Sequence, residues 1–457
     1  MTRNTLRILI TVLLCIGAAE LFAQRQMEAL SRGLIAVPVD DQVFLSWRLL
    51  ATDDPDIAFN LYRSANDQPP VKLNRTPISE TTQFTDESQN GTGRAEYTLT
   101  TVINGQESDI DARVRPWVQP YLRIPLNTPE GYRPNDASVG DLDNDGEYEI
   151  VVHQVGRSRD NSQRGFTDAP VLEAYELDGT LLWRITLGIN IREGAHYTQF
   201  IVYDLDGDGS AEIACKTADG TVDGAGNIIG DPDADWRNEQ GYVLAGPEYL
   251  TIFDGNTGAA LATTQYIPPR YPNTLTPSAE QLDELWGDGY GNRVDRFLAA
   301  VAYLDGIRPS LIMTRGYYTR AVLAAWNWRD NTLSHVWTFD TDDGTPGHAA
   351  YRGEGNHNLS VGDVDADGRD EIMFGAAAID EDGTGLYATG LGHGDAMHLS
   401  DLDPTHPGLE VFNIQERFDD AGANFRDAGS GKILWKIPSV QAGEDGEGPG
   451  RANAFNI

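Results

Sequence analysis

Three stretches of the sequence share the form D-x-D-x-D-G-x-x-E. They are Asp141, Asp143, Asp145 and Glu149; Asp204, Asp206, Asp208 and Glu212; and Asp363, Asp365, Asp367 and Glu371. Alternate aspartates in a tight loop turn their carboxylates inward, and the glycine permits the turn. The result is a set of hard oxygen donors suited to Ca2+. The glutamate follows the first aspartate by eight residues, too soon for an EF-hand, and it opens an apolar run. Asp401, Asp403 and Glu410 form a stretched fourth version. Solvated acidic turns are the competing reading.

The second chemical signal is a pair of histidines. The chain has eight in all. His357 lies in Gly353-Glu-Gly-Asn-His357, and His393 in Gly392-His-Gly-Asp395. Glycines and polar residues flank both, and each precedes an acidic or degenerate repeat by a few positions. Equivalent positions before successive repeats face one end of a repeat architecture, so His357 and His393 are expected to share a site with Asp395 and Glu416. Two loop histidines bonded to backbone are the alternative. His348, His398 and His406 read as structural. Lys216 follows a repeat strand and is a candidate base, with a buried ion pair as the competing reading.

The elements that must position these residues repeat. Acidic copies begin at Val139, Val202 and Val361, with degenerate copies at Val301 and Leu399. Between them recur hairpins: Ala174 to Trp183, Ile252 to Gly258 and Asn424 to Trp435. An acidic-loop strand pair plus one hairpin makes four strands, the pattern of a β-propeller blade. About six blades are read over 118–457. Residues 24–117 carry some seven short strands and read as a β-sandwich in fibronectin type III order, with Trp47, Tyr62 and Tyr97 as core aromatics. Long connections at 219–247 and 266–297 carry Trp236, Tyr242, Trp286 and Tyr290, which favour ordered, functional loops.

The 457 residues include 70 Asp+Glu against 34 Lys+Arg, a formal charge of −36. That balance excludes a nucleic-acid partner. It would also repel an acidic polymer unless a cation intervened. Arg3 and Arg7 precede the apolar run Ile8 to Ala19, which ends near Ala23. This is the pattern of a signal peptide over 1–23, too short for an anchor, and it implies a secreted or periplasmic protein with no membrane attachment after cleavage. Cys15 would leave with the signal, so Cys215 has no intrachain disulfide partner.

Taken together, several segments resemble family 11 polysaccharide lyases, the rhamnogalacturonan lyases. They are Met27 to Val37 with Val43 to Arg48, Asn135 to Asp141, Lys216 to Thr221, Gly355 to Asn358, Gly392 to Asp395, and Gly448 to Arg451. The resemblance implies an eight-bladed propeller, several Ca2+ ions and β-elimination in the rhamnogalacturonan I backbone of pectin by a monomer. It implies that His357, His393, Asp395 and Glu416 surround an active-site calcium, and that Asn135 and Arg451 contact substrate, Arg451 beside the galacturonate carboxylate. The family's chain also continues beyond residue 457, and its proton-abstracting lysine is expected there. Two other classes share some of these features. A non-catalytic calcium propeller that binds carbohydrate or protein would have the acidic loops without the histidines. A quinone-dependent dehydrogenase would have the tryptophan-ending hairpins but needs a basic cofactor pocket.

Overall fold

The computed structural model describes residues 25–439 except 66–67, 88–94 and 417–421. The expected signal peptide and Arg451 lie outside the described residues. The strands are organised by a two-residue period. Successive side chains of a strand point to opposite faces, so a strand buried on both faces reads as a continuous apolar run. Glu212–Ala218 is buried on both faces, with Glu212, Lys216 and Thr217 interrupting its apolar run. Ile213 and Cys215 pack towards the sheet before it, together with Leu172, Ala174 and Trp183. Ala214 packs towards the sheet after it, together with Leu311, Met313 and Trp326.

The same alternation repeats along the chain. Leu311 and Ile312 face opposite ways, as do Leu323 and Ala324, and Ile372 and Met373. Five sheets therefore stack face to face, each sharing one apolar layer with the next. The first has six strands, running from Ile228–Ile229 at one edge to Arg133–Gly140 at the other. The second joins Phe200–Tyr203, Glu212–Ala218, Glu248–Phe253 and Ala260–Gln265. The third runs from Ala299–Ala302 through Ser310–Arg315 and Val322–Arg329 to Thr332–Asp340. The fourth runs from Ser360–Gly362 to Gly385–Ala388, and the fifth from Gly394–Ser400 to Ile433–Ile437.

Two smaller sheets precede these. One pairs Ile35–Val39, Gln42–Ser46 and Gln83–Asp86, and the other is built around Ala58–Ala65 and Ala95–Ile103. They share a core of Leu45, Trp47, Phe59, Leu61, Tyr97 and Leu99. Tyr62, expected in that core, lies on the other face of its strand because it alternates with Leu61. Its hydroxyl donates to Glu107 at 2.7 Å.

The expectation of a β-propeller of about six blades behind a fibronectin-III-like sandwich is corrected. The described strands are all-β in seven separate sheets, and no strand pairing joins one sheet to another or closes a ring among the described residues. Each acidic or degenerate repeat marks one sheet, and there are five such repeats. Among the described residues these five repeats account for five sheets, against the expected six or so units. Strand and turn periodicity reports hairpins, and it does not report how sheets are arranged about one another.

The stacking layers carry the stability of this assembly. Ile252 is fully buried between the second and third sheets. Ile252→Ala is expected to cost about 2–5 kcal/mol, read as a lower denaturant midpoint with an unchanged slope.

Candidate active site

Each sheet starts at one end of the stack, runs out along its first strand, turns, and returns along its second. The acidic loops occupy the outward turns. Glu149, Glu212 and Glu371 are each the first residue of a returning strand and are buried. One carboxylate oxygen of each accepts from a backbone N–H seven residues earlier: Leu142 at 2.7 Å, Leu205 at 2.8 Å and Val364 at 2.7 Å. Gly146, at φ +89°, makes the turn and donates to Asp141 at 2.8 Å.

Ligand atoms of Asp141, Asp143 and Glu149 lie within 4.8 Å of one another, as do those of Asp204, Asp206 and Glu212, and of Asp363, Asp365 and Glu371. Asp145, Asp208 and Asp367 stand outside these groups. They accept from the backbone of Glu147, Ser210 and Arg369 and fix the turn. Burial pushes Glu149 up to about 7, with the charges of Asp143 and Glu176 adding to it, and pushes Glu212 and Glu371 up to about 8. The buried Oε1 of Glu371 has no hydrogen-bond partner. Hard, crowded, partly unsatisfied oxygens fit a divalent cation. Glu410 is equally buried and accepts from Leu402 and Asp403 at 2.9 Å, but Asp401 and Asp403 are not gathered with it into such a group.

The starts of the first strands and the ends of the second strands meet at the opposite end. His196 precedes Phe200–Tyr203, His357 precedes Ser360–Gly362, and His393 immediately precedes Gly394–Ser400. Arg296 precedes the first strand of the third sheet, Tyr317 and Tyr318 follow its second strand, and Glu416 follows Glu410–Gln415. His196, Arg296, Tyr318, His357 and Glu416 line a cavity of about 540 Å³ together with Asp160, Asn292 and Asp395, and Tyr317 and His393 pack behind it against His357 and Tyr318.

His393 Nδ1 lies 2.5 Å from the Gly355 carbonyl, so that nitrogen carries the proton. Its Nε2 is then a lone pair, buried and without a hydrogen-bond partner, 3.9 Å from a Glu416 oxygen. His357, His393 and Glu416 form a fourth group of atoms within 4.8 Å. An imidazole that donates from one nitrogen to a backbone carbonyl and offers the other is arranged as a metal ligand.

The Tyr317 ring stacks on His393 at 5.5 Å between centroids. The Tyr317 hydroxyl lies 3.4 Å from His196 Nδ1 and 3.3 Å from His357 Nδ1, and the Tyr318 hydroxyl 3.2 Å from His357 Nε2. Burial lowers all three imidazoles, His196 to about 3 and His393 to about 4, with Arg296 and neighbouring histidines adding repulsion. The cavity thus holds neutral imidazoles beside the Arg296 cation, whose Nε donates to the Asn292 carbonyl at 2.6 Å.

A family pattern described as rhamnogalacturonan lyase family 11, C-terminal domain, matches residues 121–457, and one described as rhamnogalacturonan I lyases β-sheet domain matches 25–117. The chain belongs to rhamnogalacturonan lyase family 11. The lyase is 55% identical over 446 residues to the Bacillus subtilis (strain 168) rhamnogalacturonan exolyase YesX, covering 95% of this chain and 69% of YesX. It is 53% identical over 447 residues to the endolyase YesW of the same organism, covering 95% and 68%. A solved rhamnogalacturonan lyase from Bacillus licheniformis superposes with a TM-score of 0.84 at 53% identity, covering 91% of this chain and 70% of that one.

Other expected site residues of the lyase lie elsewhere. Asn135 is exposed on Arg133–Gly140 and donates to Asp136 at 3.0 Å. Lys216 is buried, 3.2 Å from Glu248 and 4.1 Å from the centre of the Phe297 ring, and it is not among the cavity-lining residues. His348, His398 and His406 also stand apart from the cavity. His196 escaped the sequence reading although it carries a signal: Glu193-Gly-Ala-His196 repeats the spacing of Glu354-Gly-Asn-His357. Arg296 and Tyr317 carry no local signal, because loops of unrelated sequence bring them in.

Lys216 belongs to a buried cluster of ion pairs. Glu248 also meets Arg270 at 3.0 Å and Arg315 at 2.5 Å. Burial alone would raise its carboxyl, but the three cations hold it well below the usual range. Glu248→Ala strands those cations in a dry interior and is expected to cost about 3–5 kcal/mol, measured by equilibrium denaturation.

Proposed function

We propose that this chain cleaves the rhamnogalacturonan I backbone of pectin by calcium-assisted β-elimination at galacturonate. The observation that carries the reading is the buried, unpartnered Nε2 of His393 facing Glu416, fixed by its donation from Nδ1 to Gly355. His357, His393 and Glu416, with Asp395 beside them, would hold the cation. A bound Ca2+ neutralises a uronate carboxylate and so acidifies the C5 proton. In β-elimination the C5 proton passes to a base, the C4–O bond breaks, the departing oxygen takes up a proton to become a hydroxyl of the released fragment, and a C4–C5 double bond forms.

The chain's own residues supply the rest of the setting. Arg296 presents a fixed guanidinium to the carboxylate and to the charge that develops beside it. Tyr317 and Tyr318 hold the His357 ring between their hydroxyls and pack on His393. Burial leaves the imidazoles uncharged at neutral pH, the protonation state a cation requires of its histidine ligands. The cation and Arg296 also answer the charge problem, because a protein of charge −36 otherwise repels an acidic polymer. The acidic loops lie at the far end of the sheets, where bound Ca2+ would neutralise buried carboxylates and fasten the turns. Export by the expected signal peptide over 1–23 would bring the enzyme to its substrate outside the cytoplasm.

Two outcomes separate the two kinds of cation site. His393→Ala and Asp395→Ala are expected to reduce formation of the unsaturated, ultraviolet-absorbing uronate by at least about 100-fold, with the melting temperature near wild type. Glu149→Ala is expected to lower the melting temperature and leave the rate close to wild type. Chelation is expected to lower both, and added Ca2+ to restore both. A melting curve unchanged by exhaustive chelation would remove calcium from the account.

A further inference from the structure

His357 and His393 lead into different sheets, the fourth and the fifth, so a link between those sheets must set their separation. Glu354 makes such a link. It is 4% exposed, does not line the catalytic cavity, and reaches across to the segment that enters His393. Its Oε2 accepts from the Gly390 N–H at 2.9 Å, and its Oε1 from the Gly392 N–H at 3.0 Å. The Leu391 N–H between them donates to the Thr389 hydroxyl at 3.3 Å, and that hydroxyl lies 3.4 Å from Oε2. We propose that Glu354 is a positioning residue: it sets His393 against His357 by holding the loop 389–392. The inference rests on reading His357, His393 and Glu416 as a cation site.

Three consecutive residues on each side pair in register. Glu354 meets Gly392 through its carboxylate. The Gly355 carbonyl takes the His393 Nδ1 proton at 2.5 Å. Asn356 pairs with Gly394 in a parallel bridge, and His357 comes next. The first of these segments is itself anchored. The Gly353 N–H donates to the Thr319 carbonyl at 2.8 Å, and the Glu354 carbonyl accepts from the Ala376 N–H at 2.7 Å. Gly355 is wedged between two rings: a Cβ there would stand 2.6 Å from Tyr317 Cβ and 2.4 Å from Phe374 Cε1. The Asn356 amide donates to Asn413 at 2.7 Å. Residues 353–356 thus form a fixed rail, and the Glu354 carboxylate carries its rigidity to the loop ahead of His393.

That loop is shaped to take an anion. Gly390 and Gly392 have φ of +74° and +82°, and the left-handed backbone aims both N–H groups at one carboxylate. A carboxylate fits because both of its oxygens accept. Hydrogen bonds to an ion are also about twice as strong as neutral ones. Glutamine has the same size, but its NH2 would face one of the two N–H groups, donor against donor. The loop would then shift, and with it the His393 Nε2 lone pair. A residue that orients a metal-binding histidine changes metal affinity without touching the metal.

The test compares the full chain with Glu354→Gln. Equilibrium dialysis against Ca2+ identifies the cavity ion as the one lost in His393→Ala. Glu354→Gln is expected to bind that ion about tenfold more weakly and the ions of the acidic loops as the wild type does. Hydrogen exchange at saturating Ca2+, read by mass spectrometry, is expected to be at least about tenfold faster at Gly390 and Gly392. Should Glu354→Gln fail to fold, Gly390→Ala decides. No atom lies within 4 Å of the added Cβ, so the positive φ alone loosens the loop, and both shifts are expected in the same direction. Unchanged affinity for the cavity ion in a folded variant would overturn the proposal, even with a lower melting temperature, because that is what a purely structural glutamate gives. If the wild type and His393→Ala bind equal calcium, the cation reading of the cavity fails. Exchange at Gly390 and Gly392 then judges Glu354 alone, faster exchange supporting its hold on the loop and wild-type exchange overturning it. Failure of the lyase reading shows as no unsaturated uronate from the wild type, which alters neither measurement.

Discussion

Carboxylates taken out of water and crowded together are the constraint on which this structure depends. Glu149, Glu212 and Glu371 each start a returning strand, and each is buried against a loop of aspartates. One backbone N–H on each glutamate, joined at Glu212 by the Trp328 indole N–H, satisfies only part of that charge. Repulsion inside each loop pulls the same way as burial, towards protonation. A hard divalent cation would remove both penalties at once and would convert the most anionic segments of the chain into fastened turns. The sheets stack on apolar layers, with Cys215 a buried free thiol within one of them.

The antiparallel path of each sheet separates stability from chemistry. Turns at one end hold the acidic loops. Strand starts and strand ends at the other hold His196, His357, His393, Arg296, Tyr317 and Glu416. Because every sheet begins at the same end, one residue just ahead of each first strand is enough to assemble a site from distant parts of the chain. Rigid strands then set the mutual positions of the histidines, with ring centres 5.0 Å apart for His357 and His393.

Legibility in the sequence followed the range of the interactions. Acidic loops are local, so spacing alone located Asp141 to Glu149 and its two counterparts, and the structure gathers two aspartates of each with the glutamate. His357 and His393 were legible because each precedes a repeat unit, and the cavity joins them to Glu416 and Asp395. His196 was equally local but sits before a copy whose leading motif, Glu193-Gly-Ala-His196, differs by one residue from its counterpart. Lys216 was ambiguous for a physical reason: its partners Glu248 and Phe297 come from other segments, and only tertiary packing shows that they enclose it. The arrangement of the sheets was not legible at all, since hairpin periodicity is blind to it.

The central claim is that a cation held by His357, His393 and Glu416 meets the uronate carboxylate opposite Arg296. The most direct measurement is an anomalous-difference map from crystals of the chain grown with Ca2+ and soaked with a galacturonate-containing oligosaccharide. The account predicts a cation peak bounded by His357, His393 and Glu416, with the sugar carboxylate bridging it and Arg296. Cation peaks confined to the acidic loops, or a galacturonate bound away from this cavity, would contradict it.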